Sequence, residues 1–289
     1  MNYFWHLLFM IGLYVPLAYS LNLTLGFGGL ACFCHAAFYG IGAYAYALLV
    51  TTAGMPPTAA LLVSIAITGL LGAGIGLISL RFRGDLFLFV TLGFQMIVFA
   101  ILYNWVELTN GPYGIAGIPR PGILGIAFRS PLQYALAMLV IDVGILALLF
   151  AVYRSPFGTM LKALREDEMG AASLGINPLS LYLQAVVIAA AIAAIPGACY
   201  AAYVTYIDPT SFTLQESIFQ VAILLLGGAG NRKGPAVGVV VMLLLPEVLR
   251  FVGLPDAVAH NVREIIYGLL LAGLMYFRPQ GIAGEYRMT

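Results

Sequence analysis

Long apolar runs separated by short polar interruptions dominate this chain. The runs cover residues 3–21, 35–52, 58–80, 86–104, 132–153, 180–206, 217–230, 235–253 and 263–277. A helix needs about 17–25 apolar residues to cross a bilayer, and most of these runs approach that length. Between the first two lies LTLGFGGLACF (23–33), too brief and glycine-rich for an ordinary span. It predicts a half-helix or re-entrant segment, which membranes tolerate only where protein or a water-filled cavity surrounds it. The expected fold is all-α: a polytopic integral membrane bundle of about 8–10 spans, forming one domain over residues 1–289.

Two connections are long: 106–131, rich in Gly and Pro, and 154–178. The second carries helix signals. Ser155 is a natural N-cap with Pro156 in the first turn, Gly175 suits a stop, and Asn177-Pro178 starts the next span. Met160, Leu161 and Leu164 form an apolar stripe at helical spacing. These signals predict one short amphipathic helix. Lys162, Arg165, Glu166, Asp167 and Glu168 concentrate charge there, followed by the small residues Gly170, Ala171, Ala172 and Ser173. Simple solvation is one reading. The other is docking: small residues admit a close surface and charge sets its orientation.

Composition narrows the class. Hydrophobic residues make up 62% and charged residues 9%, where a soluble domain carries about a quarter charged. A net charge of +1 without a basic patch excludes nucleic acid as partner. Cys32 and Cys34 form a C-x-C with no second cluster, so with Cys199 they read as small apolar fillers. The first basic residue is Arg81, so residues 1–21 lack a signal peptide's basic start and read as a retained span. Threading the spans puts Arg81, Arg83, Arg154, Lys162, Arg165, Arg232, Lys233, Arg278 and Arg287 on one side, against Arg120, Arg129, Arg250 and Arg263. The richer side is expected to be cytoplasmic, with the C-terminus on it and 106–131 outside. The side of the N-terminus depends on whether 23–33 crosses. If it crosses, ten spans allow two five-span halves of inverted topology.

Polar groups at membrane depth are costly and often mark a pathway. Asn22 and His35 flank the short segment, Asp142 lies within LVIDVGILALL, and Glu247 stands three residues before Arg250. Asp142 reads as paired to a neighbouring helix or near an interface, with a proton relay as the alternative. Glu247 reads as a local ion pair with Arg250. Gly26, Gly28, Gly29, Gly40 and Gly42 have two equal readings: helix packing, or a break whose amides hold a zwitterion's carboxylate. The candidate translocation path is therefore Asn22, Gly26, Gly28, Gly29, His35 and Tyr39. No Gly-x-Ser-x-Gly and no paired intramembrane aspartates suggest an enzyme.

Six co-linear blocks resemble the LivM-type permeases of branched-chain amino acid ABC importers. They are residues 21–44, LRFRGDLFLFVTLGF (80–94), LTNGPYGIAGIPRP (108–121), RSPFGTMLKALREDEMGAASLGIN (154–177), GGAGNRKGPAVG (227–238) with LLPEVLR (244–250), and YGLLLAGLMYFRPQGIAG (267–284). The resemblance implies a bacterial inner-membrane permease subunit without chemistry of its own. Its loop 157–175 would be the ATPase-coupling element, carried by Arg165, Glu166, Asp167, Glu168, Gly170, Ala171 and Gly175. Implied partners are a LivH-like second permease, two LivG/LivF-like ATPases that bind ATP and Mg, and a periplasmic substrate-binding protein. The implied cargo is a branched-chain or related amino acid, with urea, amides and aromatic or carboxylic acids open. A proton-coupled secondary transporter is the more distant alternative. This chain departs from the family at Leu30, Cys32, Cys34, Ala172 and 231–233. GGAGNRKG lacks the GK[ST] ending of a phosphate loop, so no cofactor is expected in this chain.

Overall fold

The computed structural model describes residues 2–82, 84–120, 122–123, 126–128, 130–250, 266–269, 272–273, 276–278 and 280–283. Nearly half of the ninth apolar run lies outside the described residues, as do Arg83, Arg129, His260, Arg263 and Arg287. The helices are α1 (Asn2–Leu21), α2 (His35–Thr51), α3 (Pro57–Ser79), α4 (Asp85–Asn104), the single turn α5 (Val106–Thr109), α6 (Pro131–Arg154), α7 (Pro156–Glu166), α8 (Glu168–Ser173), α9 (Pro178–Val204), α10 (Leu214–Gly227) and α11 (Gly234–Arg250). Among the described residues, five are long and apolar enough to cross a membrane: α1 with its extension to Phe27, α3, α4, α6 and α9. The polytopic helical bundle expected from the apolar runs is the fold.

Local signals place the helix ends. Ser130 caps α6 through a capping box with Gln133, Ser155 accepts from Gly158 N, and Asn177 accepts from Ser180 N. Gly175 takes the left-handed φ of +87° that a helix stop requires.

The bundle is built around α1 and α9, 67% buried each over their spans, against 22–28% for α3, α4 and α6. Lipid supplies no hydrophobic drive to bring helices together, so close packing of small residues does. Gly42 and Gly72 lie against Ala194 and Ala190 of α9, leaving no room for a Cβ. Phe9, Leu13 and Leu17 of α1 fill the space beside Phe38 and Tyr39 of α2.

Two segments interrupt this helical pattern. The helix α1 continues as a π-helix over Asn22–Phe27, and residues 28–34 then run non-helically to α2. The break expected at 23–33 is therefore present, but it does not cross: 22–27 ends the first span. The second interruption is 205–213. It holds the strand β4 (Tyr206–Ile207) and a 3-10 turn (Pro209–Phe212), and buries Ile207, Pro209 and Phe212. At 17 and 14 residues, α2 and α10 reach about 25 Å and 21 Å, short of a hydrocarbon core about 30 Å thick. The non-helical segments make up the difference.

Connections sort onto two faces. On one, α7 meets Phe27 and the 228–233 turn, while Ile282 N and Ala283 N donate to the end of α10 at Leu226 O (2.9 Å) and Gly227 O (3.0 Å). On the other, β1 (Ile115–Ala116) pairs antiparallel with β4 in the register Ile115↔Ile207. β2 (Gly122–Ile123) pairs antiparallel with β3 (Ile126–Ala127) within the connection that carries β1. The start of α1 belongs to this second face, where His6 Nδ1 lies 2.8 Å from the Tyr203 hydroxyl and Tyr3 donates to Glu247. The side of the N-terminus, open in the sequence, is thus the face opposite 154–178.

Candidate functional site

The two interruptions meet inside the bundle, and polar side chains close the gap. A helix leaves its first amides unpaired, and in hydrocarbon no water can satisfy them. At α2 those donors are met by neighbours: Ala36 N donates to Ser217 Oγ (3.0 Å) and Ala37 N to Gln95 Oε1 (2.8 Å). Gln95 Nε2 donates to Phe212 O (2.9 Å) in the second interruption, and Ser217 Oγ donates to Gln95 Oε1 (3.0 Å). Phe33 N reaches Thr91 Oγ1 (3.2 Å). Gln95 and Ser217 are fully buried. Ser217 lies ten residues, about 15 Å, from the end of α10 at Gly227, which puts this junction at mid-depth.

Of the expected path residues, His35 and Tyr39 lie beside this junction. His35 is buried with Nε2 on Ser20 Oγ (2.9 Å), and Tyr39 packs its ring on Phe212 and Tyr200. The amides of Ala36 and Ala37 that open α2 are capped internally by Ser217 and Gln95. Gly40 and Gly42 support the packing reading, lying against Phe212 and Ala194.

At the charged face, Asn22 binds the 228–233 turn twice, through Oδ1 to Gly230 N (2.8 Å) and Nδ2 to Asn231 O (3.0 Å). A Cβ at Gly26 would collide with both the Asn22 carboxamide and Gly230. Gly29 has φ +68° with the Arg165 stem beside it. The Arg165 guanidinium donates to Gly26 O at the buried carbonyl end of the π-helix. A groove of about 420 Å³ separates this end of the break from α4 and α9; Gly29, Asp85, Arg165 and Glu168 line it.

The 154–178 connection differs from the single helix expected. It is two helices split at Asp167, whose carboxylate caps α8 by accepting from Gly170 N (2.9 Å). Extended dihedrals at Asp167 (φ −151°, ψ 101°) and the pull of its side chain on its own backbone end α7 there. Leu161 and Leu164 are buried as the apolar stripe requires. Ala171 is also buried, against the chain's own core, so it is not offered outward. Of the charges, Arg165 turns inward and Asp167 is a cap, leaving Glu166 exposed and Glu168 half-buried. The apolar side chains that do face out are Met169 and Leu174, each 84% exposed.

The remaining candidates resolve singly. Asp142 lies over Gly12, and its Oδ1 has no hydrogen-bond partner among the described residues. Glu247 accepts from Tyr3, and the Arg250 side chain lies outside the described residues. Cys32 and Cys34 are buried with thiols 3.3 Å apart in the apolar core. Gln95, Ser217, Ser20, Thr91, Met169 and Leu174 escaped the sequence reading. The signal for Gln95 was plain: a carboxamide at the middle of a largely apolar span.

Residues 3–277 match the family described as the permease component of branched-chain amino acid transport systems. The chain is 34% identical over 296 residues to the high-affinity branched-chain amino acid transport system permease protein LivM of Salmonella typhimurium, covering 94% of this chain and 68% of that one. The protein of the same description from Escherichia coli is 34% identical over 297 residues, covering 93% and 67%. A probable branched-chain amino acid transport permease protein LivM of Methanocaldococcus jannaschii is 26% identical over 328 residues, covering 96% and 92%. No solved structure matches the chain. By family match and by extended identity over most of its length, this chain belongs to the permease components of branched-chain amino acid transport systems.

Proposed function

We propose that this chain is one of two permease subunits of an ATP-driven importer of branched-chain amino acids in a bacterial inner membrane. A LivH-like permease completes the pathway, two LivG/LivF-like ATPases bind ATP and Mg, and a periplasmic protein delivers substrate. The face carrying α7 and α8 is cytoplasmic, as is the C-terminus. The excess of lysine and arginine supports this: Arg81, Arg154, Lys162, Arg165, Arg232, Lys233 and Arg278 stand there among the described residues, against Arg120 and Arg250.

One observation carries the coupling role. The α7–α8 pair is anchored inward by Leu161, Leu164 and Ala171, and offers Met169 and Leu174 outward. Two exposed apolar side chains on a charged surface mark a docking site, since such anchors supply most of an interface's energy. ATP-driven closure would push α7–α8. Arg165, bound to Gly26, would pass that push to the break beside the pathway, favouring one access state over the other.

The test is co-purification of the ATPases with the permease pair. Leu174→Glu is expected to release them while the permeases stay assembled, because the residue touches no core. ATPases retained at the original level, with substrate-stimulated hydrolysis intact, would refute docking at α8.

A further inference from the structure

We propose that Gln95 is the positioning residue that makes the two helix breaks of this permease move as one unit. The inference rests on the transport reading for its consequence, and on the hydrogen bonds alone for its mechanics.

The helix α4 lies on the outside of the bundle and buries only Phe87, Thr91, Gln95 and Leu102. Two of those four are polar and both contact the breaks. Gln95 takes Ala37 N and Ser217 Oγ on its oxygen, and gives its nitrogen to Phe212 O. Its three partners come from the start of α2, the start of α10 and the 205–213 interruption. A carboxamide alone among neutral side chains of this length both accepts two bonds and donates two. A hydroxyl lacks the second donor, and an ionised carboxylate has none. The residue type thus matches a junction that needs a donor and an acceptor at once.

Moving one break without the other pulls Gln95 off at least one backbone group. At this depth no water replaces the lost partner, so an unpaired amide or carbonyl remains in hydrocarbon. Separate motion is therefore penalised and joint motion with α4 is not. The start of α4 at Asp85 also lines the groove shared with Arg165 and Gly29, so the unit that moves reaches the charged face.

Hydrogen exchange on the assembled complex in lipid nanodiscs tests this. Gln95→Met keeps volume and removes both hydrogen-bonding arms. Segments 33–38 and 212–217 are expected to lose protection together, by about tenfold or more, the scale of an unsatisfied buried polar group. Loss in one segment only, or in neither, overturns the proposal. If Gln95→Met does not accumulate, Ser217→Ala removes the Ala36 and Gln95 bonds at once and loosens both segments less; protection unchanged in either overturns it equally. Import per ATP is expected to fall alongside. A wild-type complex that imports no branched-chain amino acid defeats the transport reading instead, and the exchange result still stands.

Discussion

Arg165→Ala cuts the side-chain hydrogen bond from α7 to Gly26 O at the end of the π-helix. The guanidinium donates to Gly26 O, and its stem lies over Gly29, where a Cβ would stand 3.0 Å from Arg165 Cγ. A hydrogen bond with a charged donor contributes about 1.5–3 kcal/mol, and a cation at a helix carbonyl end adds about 0.3–1 kcal/mol. Arg165 is only half-buried, so solvent screening holds the sum near the low end, about 2 kcal/mol. That is roughly a 30-fold shift in how often α7 grips the break. Met169 and Leu174 are untouched, so the ATPases should still bind and hydrolyse ATP. Import per ATP in proteoliposomes should fall by about 10–30-fold on the same energy scale. Arg165→Lys keeps the charge but loses the planar fork, and should restore part of the loss. If Arg165→Ala imports as much substrate per ATP as the wild type, α7 does not act through Gly26.

Two further outcomes follow. A cysteine at Tyr113, 77% exposed, should react with an impermeant thiol reagent added outside intact cells, and one at exposed Thr159 only after the membrane is opened; the reverse pattern overturns the sidedness. Gly29→Val forces a β-branched residue to φ +68° against the Arg165 stem, at about 1–2 kcal/mol for the dihedral alone, and should slow import about tenfold in protein that reaches the membrane at normal levels; wild-type uptake would mean the break tolerates a side chain there.

The spans were legible because their signal is length and apolarity, and each of the first eight runs is a helix within a few residues. So were the caps at Ser155, Asn177 and Gly175, whose chemistry is local. What failed depended on partners distant in sequence. Nothing in REDEM says that Asp167 will prefer its own cap to a continued helix, because the choice depends on Leu164 and Ala171 both finding the core. Arg165 looked like a free docking charge until its carbonyl partner, 139 residues away, was in place. The glycines between 26 and 29 mark the break, yet the amides of Gly28 and Gly29 donate to Leu23 O and Leu25 O, and those that open α2 are taken by Gln95 and Ser217, far along the chain. A polar residue in an apolar run is the trace such pairing leaves in sequence. Asn22 and His35 were noticed for flanking the short segment, whereas Gln95, buried in mid-span one turn from Thr91, was passed over. In a membrane the mid-span residue is the stronger signal: hydrocarbon offers it no partner, so the protein must, and the partner is backbone that some other segment has failed to pair.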